Sequence, residues 1–93
     1  MTANKPHLTL YSREYCHLCH DMLAALQVLR GEQRGSFEID VVDIDADPVS
    51  LARFDELVPV LVVSEGAELI ELCHYFLDVE AVLAYLNPIQ DQV

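Results

Sequence analysis

Positive charge is scarce in this sequence. Lys5, Arg13, Arg30, Arg34 and Arg53 stand against 16 Asp and Glu residues, and the formal net charge is −11. Binding a phosphate backbone needs a basic face, so nucleic acid is not an expected partner. The acids read as a solvated surface, or more sharply as a field that selects a basic protein partner and repels anions. Cysteine is also sparse. Three residues are too few, and an odd number, for a secreted disulfide scaffold. No apolar run approaches the roughly 20 residues of a membrane span. The segment Met1 to Pro6 has no apolar core, so no signal peptide is expected. A cytoplasmic protein without a membrane partner, acting as a monomer, is the expectation.

Apolar residues, by contrast, are plentiful. They make up 53% of the 93 residues, enough for one domain spanning 1–93 with an ordered core over about 7–87. His7 to Tyr11 is apolar and β-prone and reads as a central strand. A helix is expected over Cys19 to Arg30, with Leu18, Met22, Leu26 and Leu29 along one face and Gly31 just past its end. Phe37 to Asp43 alternates as a strand whose acids suit a sheet edge. Asp47 and Pro48 read as N-cap and first residue of a short helix carrying Val49, Leu51, Ala52 and Phe54. That helix must stop before Val58-Pro59. Val60 to Val63 is wholly apolar, a strand buried on both faces. Ser64 to Ala67 reads as a turn into a second edge strand, Glu68 to Cys73. Asp78 caps a last helix lined by Val79, Val82, Leu83 and Leu86, and Asn87-Pro88 ends it. The first two strands are expected to be parallel with a right-handed crossover, the last two a hairpin.

Between the first strand and the first helix lies Cys16-His17-Leu18-Cys19. This spacing brings two sulfurs onto one turn. It places the first at a helix N-terminus, where amide hydrogens and the helix dipole favour an anion. In an intracellular βαβ context the pattern points to thiol–disulfide chemistry.

The order β-α-β-α-β-β-α, with C-x-x-C after the first strand and Val58-Pro59 before the third, resembles the thioredoxin fold. That fold is α/β, a four-stranded mixed sheet flanked by three helices. Leu10-Tyr11-Ser12, Cys16 to Cys19, the acid-rich Val42 to Pro48, Val58 to Leu61 and Glu71 to His74 are similar to the small glutaredoxin-like proteins of bacteria. The resemblance implies that Cys16 is the attacking thiolate and Cys19 the resolving thiol. It implies a cis Val58-Pro59 peptide beside the cysteines, with the Val58 backbone pairing with substrate. A protein or small-thiol disulfide is the implied substrate.

The chain also departs from that pattern. Glutathione-using glutaredoxins carry Gly-Gly then Asp after the fourth strand; here Cys73-His74-Tyr75-Phe76-Leu77-Asp78 stands there. Ser12-Arg13 replaces the usual Lys after the first strand, with Arg13 a partial substitute. These changes count against glutathione as the natural partner, and no cofactor is expected. The alternative class is a thioredoxin-fold binding or metal-handling module for zinc or an iron–sulfur cluster.

Neighbouring residues carry readings of their own. A cationic His17 would stabilise a Cys16 thiolate, and Glu14 would oppose it. Tyr15 reads as one wall of a substrate groove. Tyr11, Tyr15, Tyr75, Phe37, Phe54 and Phe76 otherwise read as core or rim packing, which for Tyr15 is the simpler of its two readings. His20 completes a literal C-x-x-C-H haem pattern, but with no export signal haem is not expected. Cys73 and His74 allow a zinc set with Cys16 and Cys19; an ordinary buried strand-end cysteine is the simpler reading.

Overall fold

The computed structural model describes residues 5–90, with side chains to residue 87. Its elements are β1 (His7–Ser12), α1 (His17–Glu32), β2 (Glu38–Asp43), a single 3-10 turn at Ile44–Ala46, α2 (Pro48–Phe54), β3 (Val60–Glu65), β4 (Glu68–His74) and α3 (Val79–Gln90). The sheet runs β2-β1-β3-β4. β1 is parallel to β2 and antiparallel to β3, and β3 is antiparallel to β4. The acid-bearing strands are therefore the two edges, as the sequence pattern predicts.

Side-chain alternation divides the core between the two faces of the sheet. Leu8, Leu10, Leu61 and Val63 meet Met22, Leu26 and Leu29 of α1 and Val82 and Leu86 of α3. On the opposite face Val60 and Val62 meet Ile44 and Phe54. All four residues from Val60 to Val63 are buried, as a strand covered on both faces requires.

Several boundaries differ from the sequence reading. α1 starts two residues earlier than Cys19 and runs past Gly31 to Glu32. Its stop is Arg34 and Gly35, both left-handed with φ of 58° and 67°, and the Gly35 N–H reaches the Arg30 carbonyl at 2.8 Å. Cys19, not Leu18, joins Met22, Leu26 and Leu29 on the buried face, because the helix phase puts position 19 over the sheet. β2 begins after Phe37, which is fully buried. Val79 is largely exposed, and α3 continues through Pro88 to Gln90. A proline that close to a helix end removes one backbone bond and leaves the preceding turns intact.

Short-range chemistry holds the joints. Asp47 accepts from the Val49 N–H at 3.2 Å and from the Ser50 hydroxyl at 2.6 Å. Asp78 accepts from the Ala81 N–H at 3.0 Å. Such caps contribute about 1 kcal/mol each. Gly66, at φ 63°, opens the two-residue turn between β3 and β4.

The Arg30 guanidinium donates to the Phe37 carbonyl at 2.7 Å and to both Glu38 oxygens at 3.1 Å, tying the last turns of α1 to β2. This bond, more than Lys5 nearby, holds the Glu38 carboxyl below its ordinary 4.5. A lowered folded-state pKa stabilises above the unfolded value and ceases to do so as pH falls through the folded one. The unfolding midpoints of the protein and of Glu38→Gln should thus differ by a constant amount above pH 4.5. The gap should close on acidification below it. A gap that widens in acid contradicts the ion pair.

Candidate functional site

Cys16 is the N-cap of α1. Its backbone is extended, with φ −127° and ψ 108°, and its carbonyl accepts from the His20 N–H at 3.2 Å. The Cys19 N–H points at the Cys16 sulfur, 3.1 Å away. The two cysteines form a disulfide with Cα atoms 5.2 Å apart. They are not equivalent. Cys16 is half-buried at the mouth of the site, and Cys19 is 1% exposed beneath it. When the bond opens, charge on the Cys16 sulfur sits at the positive end of a 16-residue helix with an amide hydrogen already aimed at it.

Around Cys16 the surface forms a groove of about 260 Å³ lined by Glu14, Tyr15, His17 and His20. Tyr15 stands 91% exposed beside it, so the ring is a wall and not core packing. A second, more apolar groove of about 200 Å³ runs between Leu18, Met22 and Ala25 of α1 and Tyr75 to Leu77 of the β4–α3 loop. Phe76, expected to pack, is 70% exposed at its edge.

Val58-Pro59 is a cis peptide. Tyr11 pairs with Val60, which sets Pro59 beside the end of β1 from which the cysteine loop departs. Val58 packs its side chain against the Ile44–Phe54 cluster. Among the described residues its backbone groups take no backbone partner.

Arg13 does not face the groove. It donates to Asp45 at 3.2 Å and to Asp55 at 2.7 Å, and these bonds, Asp55 first, hold its guanidinium more firmly charged than usual. Its role is to fasten the cysteine loop to α2, not to supply a free cation.

The register of β4 decides the fate of Cys73. A bulge between Leu61 and Val62 lets Cys73 pair with Leu61 and leaves Leu72 unpaired, so both side chains pack on the α1/α3 side of the core. Burial pushes the Cys73 thiol up, partly offset by a hydrogen bond from the Asp78 backbone. His74 Nδ1 lies 2.7 Å from Glu71. Among the described residues no three His, Cys, Asp or Glu groups converge as metal ligands. The four-ligand zinc set is thus not assembled, because the bulge sends the third sulfur into the core.

Tyr75 is the residue that the sequence reading undervalued. Its φ is +65°, unusual for a bulky side chain and costing about 1–3 kcal/mol. The surroundings hold it there. Its N–H donates to the Pro59 carbonyl at 2.8 Å, and its hydroxyl to the Glu56 carbonyl at 2.9 Å. The available signal was the bulky run Cys73 to Leu77 standing where the resemblance leads one to expect Gly-Gly.

A mixed sheet of order β2-β1-β3-β4 with helices on both faces, a C-x-x-C at the first helix start and a cis-proline at the third strand is the thioredoxin-like arrangement. Within that class the chain belongs to the family described as Glutaredoxin-like domain (DUF836), whose model matches residues 7–87. The solution structure of protein Ne2328 from Nitrosomonas europaea is 39% identical, with 91% of this chain and 95% of that one aligned at a TM-score of 0.74. Thioredoxin-2, a component of the malaria parasite protein secretion machinery, aligns at 0.69 with 13% identity over 95% and 86% of the two chains. Chloroplastic thioredoxin z aligns at 0.69 with 15% identity over 94% and 80%. These two show the fold alone. No curated protein matches the chain. Among the described residues no helix is long and apolar enough to cross a membrane. The glutaredoxin-like fold and the paired cysteines together support a redox role.

Proposed function

We propose that the chain is a thiol–disulfide oxidoreductase with a dithiol mechanism. Reduced Cys16, as thiolate, attacks a substrate disulfide; a Cys16–substrate S–S bond forms, the substrate S–S bond breaks, and one substrate thiolate leaves. The Cys19 thiol then loses its proton and attacks the Cys16 sulfur, releasing the second thiolate. Two electrons pass to the substrate, whose two thiolates take up the proton lost by Cys19 and a second from solvent according to pH, and the chain is left as the Cys16–Cys19 disulfide. A thiol or dithiol reductant returns it by the reverse steps. Tyr15 and His17 contact the substrate, and Val58, ahead of the cis Pro59, offers its free backbone groups to an extended segment. A protein or small-thiol disulfide is the substrate, a monomer in the reducing cytoplasm the working form.

The observation that carries this reading is the unequal placement of the two sulfurs, one at a groove and one shielded behind it. Two measurements test it. The cysteine pair should equilibrate with thiol buffers at a potential inside the roughly −300 to −120 mV span of working dithiol proteins. After reduction, brief iodoacetamide treatment at neutral pH should label Cys16 before Cys19 or Cys73, read by peptide mass mapping. A potential well below that span marks a structural disulfide in a binding module. First labelling at Cys19 reverses the roles.

A further inference from the structure

Glutathione is a poor fit to this site. It carries carboxylates that need cations, and among the described residues neither groove is lined by Lys or Arg. Lys5 and Arg30 are spent on Glu38, Arg13 on Asp45 and Asp55, and Arg53 lies over the Phe54 ring. Beside the disulfide, the bulky side chains of Tyr75 and Phe76 line the second groove.

The second groove carries features of its own. Leu18, inside the C-x-x-C, forms one end, so the groove adjoins the disulfide. Leu18, Met22, Ala25, Tyr75, Phe76 and Leu77 make it apolar, and Asp21 is the charged residue on its wall. Tyr75 is held there with a strained backbone by two hydrogen bonds. Asp21 is exposed and, among the described residues, has no cationic partner within 4 Å; nor has Glu14 in the neighbouring groove. The whole chain adds a field of −11. An apolar slot with an unpaired carboxylate on its wall complements one kind of occupant.

Resting on the oxidoreductase reading, we infer that this slot selects protein disulfides in which a cysteine lies next to a large apolar residue and a Lys or Arg. The apolar side chain enters between α1 and the β4–α3 loop, and the cation meets Asp21. The neighbouring cysteine is then carried to the Cys16 sulfur. The rest of the acidic surface steers such segments in and turns anionic thiols away.

The test uses single turnovers of reduced full-length protein at pH 8, where histidine is ordinarily neutral. Equimolar disulfide is added, so the protein dithiol is itself the two-electron donor. The substrates are two disulfide-linked peptides, Phe-Cys-Lys and Phe-Cys-Glu in their central sequence, with glutathione disulfide and uncharged bis(2-hydroxyethyl) disulfide beside them. At low salt the Lys peptide should react about tenfold faster than the Glu peptide, in the range expected of electrostatic steering. High salt should shrink that ratio, and Asp21→Lys should bring it to one or below. Replacing the peptide Phe by Ala should slow the protein severalfold, and should matter much less to Phe76→Ala. Equal rates for the two peptides, or glutathione disulfide outpacing the Lys peptide, overturn the inference while leaving the redox reading intact. A reduced protein that leaves even bis(2-hydroxyethyl) disulfide untouched sinks both.

Discussion

Cys16→Ser loses disulfide exchange by a factor on the order of 10³ or more, the scale expected when the atom that forms the covalent intermediate is removed. Serine keeps the N-cap: its hydroxyl accepts from the amide of residue 19 as the sulfur does. The fold therefore survives and the loss is chemical. Cys19→Ser behaves differently. Cys16 still attacks, but nothing behind it expels the bound half of the substrate, so the protein accumulates as a mixed disulfide visible by intact mass. Near-normal turnover in Cys16→Ser, or a mixed disulfide on Cys73, would falsify the assignment of the attacking sulfur. Cys73 is the informative rival, because its burial in the α1/α3 core raises its thiol and argues against attack.

The second large effect is on stability. Leu26 is 0% exposed, midway along the helix that carries the cysteines, and belongs to the cluster with Leu8, Leu10 and Val82. Truncation to alanine removes apolar burial and leaves a cavity in a close-packed layer, at a cost of about 2–5 kcal/mol. A protein of this size has only about 5–15 kcal/mol in total. Leu26→Ala should lower Tm by on the order of 10 °C or more. Val28→Ala, two positions on but largely exposed, should change stability by no more than about 0.5 kcal/mol. Equal losses from the two substitutions would mean that α1 is not docked by the face described.

Most of the architecture could be read from the chain because local signals and tertiary demands agree. The apolar run Val60 to Val63 reports a strand covered on both sides, and helices cover both. Asp47-Pro48 and Asp78 mark helix starts whose side chains do accept the first amides. Signals failed where a single residue type serves two ends. Gly31 looked like a helix stop, yet a glycine with open space around it is also tolerated inside a helix, and the real stop needed left-handed residues three and four positions later. Asn87-Pro88 failed likewise. The site was legible in its cysteines and its proline, which sit at fixed offsets from strands and helices. Its wider surface was not. Leu72 is displaced by a bulge that no pattern in Glu68 to His74 announces, and the bulge alone decides that Cys73 faces the core. Arg13 reads as a free charge until the fold brings in Asp45 and Asp55, 32 and 42 residues away.

That guanidinium has a mechanical consequence. α2 has seven residues, too few to persist alone in water, and one of the two acids that grip Arg13 is Asp55, directly at its end. The stitch runs from there to the loop residue just past β1, three positions ahead of Cys16. Melting of this short helix therefore takes away one of the two carboxylates that tie down the reactive loop, and the sulfur's aim is steadier while that miniature buttress stands.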